Sequence, residues 1–211
     1  MTPMAVVESV SVGRVRTLER DATRRSAIDK RPVSGRVPVG PLGLAGDEQA
    51  DPHHGGFDQA VYAFAREDYA HWEAELGRAL AAGSFGENLT TVGLDVQQAR
   101  IGERWRIGDT LLEVSGVRIP CSVFAGFMDQ PHWVRRFTEH GVPGAYLRVI
   151  EPGTVAADDL IEVVERRDHQ LSVGFAFRAA TTRHEWLAEL ATEPRISDRL
   201  RARVDKYLPG G

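Results

Sequence analysis

The chain contains one cysteine, Cys121, which excludes an intramolecular disulfide and a Cys-x-x-Cys redox pair. Lysine is nearly as scarce: Lys30 and Lys206 stand alone among 26 basic residues, and the rest are arginine. Arginine is the better fork for phosphate and carboxylate, because its planar guanidinium offers paired donors at fixed charge. The plainer explanation of the excess is coding bias. Two lysines also leave little scope for a Schiff-base cofactor enzyme. A strong basic excess is missing: the net charge is -4, so nucleic acid is disfavoured as a bulk partner. No apolar run approaches the roughly 18 residues that span a membrane. Met1-Thr2-Pro3-Met4 does not begin a basic segment followed by an apolar one, so no secretory leader is visible and the expected location is the cytoplasm. The glycine-rich stretch before Gly46 lacks the Gly-Lys-Ser/Thr ending of a phosphate loop.

What is present is an ordinary globular composition. The 211 residues are 42% apolar and 27% charged, enough for one sizeable domain and a small extension. Residues 4–12 alternate and are valine-rich, which predicts a first strand. Glycines 35, 40, 43 and 46 with Pro41 predict sharp turns. Residues 59–65 read as a strand. Residues 66–82 read as a helix with Tyr69, Trp72, Leu76 and Leu80 on one face, Gly77 inside it and Gly83 stopping it. Two strands flank Gly108-Asp109, a hairpin turn. Asp129 is placed to cap a helix carrying Trp133, Val134 and Phe137 inward and ending at Gly141. Residues 147–150 and 160–164 read as closing strands. Many short strands joined by glycine turns predict a mainly β fold, a closed barrel with peripheral helices, over residues 1–168. Residues 169–211 change character and predict a helical extension, with a capping box at Thr182–Glu185 and Ser197 capping the last helix.

Four constellations carry possible chemistry. Arg118-Ile119-Pro120-Cys121 follows an apolar strand, and Pro120 ends the ladder. That sets Cys121 at a strand end, where Arg118 favours its thiolate; the competing reading is a buried cysteine beside a structural arginine. Gly46-Asp47 leads to Asp51-Pro52-His53-His54-Gly55-Gly56, whose glycines permit close approach of a ligand to the backbone. Adjacent histidines in extended chain face opposite ways, and His132 and His140 are two helical turns apart, so zinc is a minor alternative to a simple turn. Phe85-Gly86-Glu87-Asn88-Leu89 offers backbone amides and an asparagine fork, or only a turn. Gly144-Ala145-Tyr146-Leu147-Arg148-Val149 is a strand with or without a phosphate-facing arginine.

Taken in order, the motifs are specific. Lys30, Gly46-Asp47-Glu48-Gln49-Ala50-Asp51, His54-Gly55-Gly56 with Ala60-Val61, Phe85–Leu89, Arg118-x-Pro120-Cys121 and Gly144-x-Tyr146-x-Arg148-Val149 together closely resemble the MOSC family, named after the C-terminal domain of molybdenum cofactor sulfurases. The resemblance covers residues 4–165 and is greatest to the stand-alone bacterial, YiiM-like branch, whose short three-helix extension the tail resembles. Ser122 and Asp158-Asp159 depart from the family pattern, the first at the pocket wall and the second at a turn.

The resemblance implies a MOSC-type β-barrel that binds the molybdenum cofactor (Mo-molybdopterin), with Cys121 as metal ligand or sulfur carrier. It implies reduction of N-hydroxylated or N-oxide compounds, such as hydroxylamino-purines, with electrons from a flavin or iron–sulfur partner protein. Lys30, Arg118 and Arg148 are then candidates for the cofactor's phosphate and pterin, and His54, Gly55, Gly56 and Asn88 for the pocket lining. Asp47, Asp51 and His54 are alternative proton donors. The rival functions are a sulfur transferase carrying a Cys121 persulfide, a non-catalytic cofactor carrier, and a Cys121–His54 hydrolase, for which no oxyanion signature is seen. The oligomeric state is open, a homodimer being one alternative.

Overall fold

The structure is a computed structural model that describes residues 4–18, 21–50 and 55–208. The strands are β1 (Val6–Gly13), β2 (Arg16–Leu18), β3 (Asp21–Ser26), β4 (Lys30–Pro32), β5 (Val37–Gly40), β6 (Gly43–Leu44), β7 (Val61–Ala65), β8 (Leu89–Val92), β9 (Arg104–Ile107), β10 (Thr110–Val117), β11 (Ala145–Glu151), β12 (Gly153–Val155) and β13 (Ile161–Glu165). The helices are α1 (Tyr69–Leu76), α2 (Ser122–Met128), α3 (Trp133–His140), α4 (Val173–Thr181), α5 (Leu187–Leu190) and α6 (Asp198–Tyr207).

Eight strands form one mixed sheet in the order β13-β9-β10-β11-β7-β8-β1-β4, with only β7 and β8 pairing in parallel. The expected closed barrel is corrected to a curled sheet. Among the described residues no strand ladder joins its ends; β1 instead meets the segment entering β13 through one bridge, Val6 to Leu160, and a few flanking backbone hydrogen bonds such as Ile161 N to Ala5 O (2.8 Å). Asp158, at φ 67°, belongs to that contact, its N donating to Val7 O at 2.8 Å.

The inner face is apolar because β7 and β10 are buried along their whole length, as strands covered on both faces must be. An aromatic cluster clamps the helices to it. Trp72 of α1 lies 4.5 Å from Trp133 of α3, and Phe124 of α2 lies 5.1 Å from Phe137 of α3, measured between ring centroids. Each of these rings is buried, and burying one such side chain stabilises the fold by about 1.5–3 kcal/mol. The tail shares this core: Val173, Ala176 and Phe177 of α4 are fully buried, and Val173 N donates to Ala99 O at 2.8 Å.

Several local expectations change. α1 stops at Leu76, not at residue 82, because the chain turns left-handed at Gly77 (φ 62°) and its amide closes on Glu73 O. Gly77 terminates the helix it was expected to sit inside. Asp129 does not cap α3; it is the left-handed end of α2, a helix the sequence reading missed. Trp133 and Phe137 point inward as expected, but Val134 is exposed. Thr182 closes α4, so the Thr182–Glu185 capping box does not form, whereas Ser197 does cap α6 by accepting from Leu200 N.

Asp68, just ahead of α1, is half-buried near Glu67 and Asp95. Burial foremost, then these neighbouring carboxylates, push its carboxyl from 3.8 up to about 6, against a long hydrogen bond from Gln97. A carboxyl with a raised folded-state pKa holds a proton that the unfolded chain releases, so its contribution to stability falls as pH climbs from about 4 through about 6. Asp68→Asn should therefore raise the thermal midpoint near about pH 8 and lose that advantage near about pH 3.5. An equal gain at both values in thermal denaturation would rule ionisation out as the cause.

Candidate active site

Lys30, Asp47, Gly55, Asn88, Arg118 and Cys121, drawn from five separate stretches of sequence, line one cavity of about 460 Å³. Its floor is a hydrogen-bonded cluster. Lys30, opening β4, reaches both carboxylate oxygens of Asp47 at 2.5 Å. Asp47 also accepts from Gly13 N at 2.7 Å and from Asn88 Nδ2 at 2.9 Å. Burial foremost, offset by Asp47, lowers the pKa of the Lys30 ammonium. Asn88 is buried and braces three strands: its Oδ1 accepts from Tyr62 N (3.1 Å) and its Nδ2 donates to Ser11 O (3.2 Å). Asn88 therefore positions Asp47 as well as lining the pocket.

Glu87 beside it is fully buried. It accepts from Tyr69 Oη, Gly83 N (2.6 Å), Phe85 N (3.0 Å) and Thr90 Oγ1 (2.8 Å), which pins the loop. Burial is the largest influence on its carboxyl and raises its pKa. The Gly-Glu-Asn sequence thus combines a structural anchor with one pocket residue.

Arg118 leaves the end of β10 and is 8% exposed. Its guanidinium lies over the Phe124 ring at 4.3 Å and near Tyr62 at 5.1 Å. Such stacking favours a cation but does not satisfy its donors. No described residue forms an ion pair or hydrogen bond with it, and its buried Nε has no partner. A Cβ on Gly86 would come within 3.4 Å of its Nη1, so the glycine leaves that guanidinium room. A desolvated cation without a counter-ion is costly, and an anion entering the cavity would relieve that cost.

Cys121 is half-buried, unbridged, and caps α2 in extended conformation. Phe124, one turn on, is locked in the aromatic cluster, which fixes where the thiol sits. Cys121 is also among the groups acting electrostatically on Arg118, after burial, Tyr146 and Tyr62.

Arg148 and Gly56 are not in this cavity. They line a second one, of about 800 Å³, which shares Gly55 and Gln59 with the first. The Arg148 guanidinium is spent on Asp58 (2.8 Å), Glu113 (3.3 Å) and Arg195 O (3.1 Å), so its charge is already balanced. Asp51 and His54 lie outside the described residues. Residues the sequence reading did not single out complete the first cavity, Arg24 and Arg25 from the β2–β3 hairpin, Gln59 and Tyr62, together with Ser122, placed at the pocket wall in sequence, and Tyr146, quoted there without a role. Arg24 Nη1 donates to Ser122 Oγ at 2.8 Å, tying the hairpin to the residue after Cys121. The Arg24-Arg25 pair was a signal in itself, a doubled charge in an arginine-rich chain. Four basic side chains face two acidic ones, Asp47 and Glu48, so the cavity favours an anion. Among the described residues no group of three His, Cys, Asp or Glu side chains could hold a metal ion.

The curled, β-rich sheet thus brings together, in one basic cavity, the chain's one thiol and a buried arginine that no described residue pairs. The MOSC domain model matches residues 50–162, and the chain belongs to the MOSC family. It is 36% identical over 174 residues to YflK of Bacillus subtilis, covering 82% of this chain and 79% of that protein. The crystal structure of YiiM from Geobacillus stearothermophilus superposes with a TM-score of 0.81 at 30% identity, covering 97% of this chain and 99% of that one. A protein named Reductase from Gibberella moniliformis is 31% identical over 196 residues, 90% of this chain; the chain spans only 35% of that longer protein. No helix among the described residues is long and apolar enough to cross a membrane.

Proposed function

We propose that this protein is a molybdenum-cofactor-dependent reductase of N-hydroxylated or N-oxide compounds. The observation that carries the reading is Arg118: a buried guanidinium with no counter-ion among the described residues, in the same cavity as the chain's only thiol. Of the three basic residues the family resemblance nominates, Lys30 is neutralised by Asp47 and Arg148 by Asp58 and Glu113. Arg118 alone is uncommitted, and Arg24 and Arg25 add charge at the wall. Arg118 would hold an anionic group of the cofactor, and Cys121 would be the protein's ligand to its metal. Among the described residues there is no cage for a bare ion, which fits a metal arriving already chelated. A thiolate is the donor that molybdenum accepts. The cofactor, when bound, supplies the two-electron chemistry. The chain's residues position it, brace the pocket through Asn88 and Asp47, and lend the cavity its positive charge. Membership of a family with a relative named Reductase supports the reaction class.

The test uses protein made in cells that synthesise the cofactor. Molybdenum-loaded protein with a chemical reductant should convert a hydroxylamino-purine or amidoxime to the amine. It should release no sulfane sulfur after treatment with a cysteine desulfurase. Protein inert toward N-hydroxylated compounds but handing labelled sulfur to an acceptor would move it to the sulfur-transferase class.

A further inference from the structure

The Gly144-x-Tyr146-x-Arg148 segment divides its labour in the fold. Arg148 is consumed by carboxylates in the second cavity, whereas Tyr146 lines the cavity that contains Cys121 and Arg118. Two features place it there. Tyr146 pairs directly with Tyr62 across β11 and β7, ring centroids 5.1 Å apart. Gly144 lets the strands close: a Cβ there would fall 2.6 Å from Ala63 O and 2.8 Å from the Tyr62 ring. The two phenols differ. Tyr62 is buried and donates to Pro143 O at 2.7 Å. Burial, its largest influence, raises its pKa and keeps it protonated. Tyr146 is partly exposed in the cavity, and its hydroxyl bonds to no described residue. Among the described residues the other acid–base groups lining the cavity, Cys121 apart, are committed: Glu48 accepts from Arg14 and from Val15 N. Lys30 and Asp47 are spent on each other, and Ser122 Oγ accepts from Arg24.

We propose that Tyr146 is the catalytic acid, an inference that rests on the reductase reading above. Its O–H gives a proton to the hydroxyl oxygen leaving an N-hydroxylated substrate. The N–O bond breaks, the oxygen departs as water, and the nitrogen takes a second proton from solvent to become the amine. Two electrons are consumed, from a flavin or iron–sulfur protein that is oxidised, and solvent restores the phenol proton. A positioned acid typically contributes 10²–10⁴-fold to such a step.

The experiment compares wild type with Tyr146→Phe, both molybdenum-loaded and reduced by dithionite. The variant should keep wild-type molybdenum content and thermal midpoint, because the wild-type hydroxyl holds no hydrogen bond to a described residue. Its kcat on a hydroxylamino-purine should fall about 100-fold with KM changed only a few-fold. On an O-acylated analogue, whose oxygen leaves as a carboxylate without needing a proton, its rate should stay within a few-fold of wild type. Wild-type kcat in the variant, equal losses on both substrates, or loss of molybdenum would each overturn the assignment. If wild type reduces no N-hydroxylated compound, the reductase reading itself falls and this role with it. An active wild type with an indifferent variant sinks Tyr146 alone.

Discussion

Cys121→Ser protein, expressed alongside wild type in cells that make the cofactor, is expected to purify with at least about tenfold less molybdenum per chain. Loss of even a residue that merely supports a metal ligand typically costs 10–100-fold in affinity, and loss of the protein's ligand should cost no less. The substitution is nearly isosteric, and serine is a good residue for the helix N-cap that Cys121 occupies, so α2 should persist. What changes is the donor: a soft thiolate becomes a hard hydroxyl that stays protonated at neutral pH. The chain has no second thiol to substitute for it. Metal analysis by mass spectrometry decides the matter, and equal molybdenum in the two preparations would remove Cys121 as the ligand.

Arg118→Met is expected to separate stability from function. An arginine buried for structure loses stability when its charge is removed, because its partners are orphaned. Arg118 has no counter-ion among the described residues to orphan, and methionine keeps much of its apolar contact with Phe124 and Tyr62. The thermal midpoint of cofactor-free protein should therefore stay level or rise. Removing a charge-assisted contact to an anion costs about 1.5–3 kcal/mol, so cofactor affinity should fall roughly 10–150-fold. The pair of measurements is thermal denaturation of the cofactor-free variant and molybdenum retention through purification. A destabilised variant that retains wild-type molybdenum would make Arg118 a structural residue and relocate the anion site.

The candidate site was legible in sequence to the extent that its residues lie in short motifs. Asn88 and Asp47 were found through glycine-flanked loops, and Arg118 and Cys121 through a proline that ends a strand. What a motif could not reveal was which charges are already spent. Lys30, Arg118 and Arg148 looked equivalent in the chain. They differ only because Asp47 lies against the first and Asp58 and Glu113 against the third, residues at least 17 positions away in sequence. Tyr146 was quoted within a motif without a role, since an unpaired hydroxyl is defined by what fails to reach it. Arg24 and Arg25 were passed over because their hairpin bonds to Ser122, 98 positions along the chain from Arg24.

The same division runs through the fold. Local steric and hydrogen-bonding preference, which acts over a few residues, determined β1, the Gly108-Asp109 hairpin, the Ser197 cap and the mainly β character. The sequence alone also excluded disulfide chemistry and carried the MOSC pattern. Tertiary structure decided where α1 stops, that Asp129 ends one helix instead of starting the next, and that the sheet curls without closing on a ladder. It also decided which of Lys30, Arg118 and Arg148 finds no counter-ion among the described residues. The course of the sheet and the partner each cation finds turn on contacts between residues remote in sequence. Such contacts are set by how the aromatic cluster packs the helices against the sheet, and no local pattern encodes that packing.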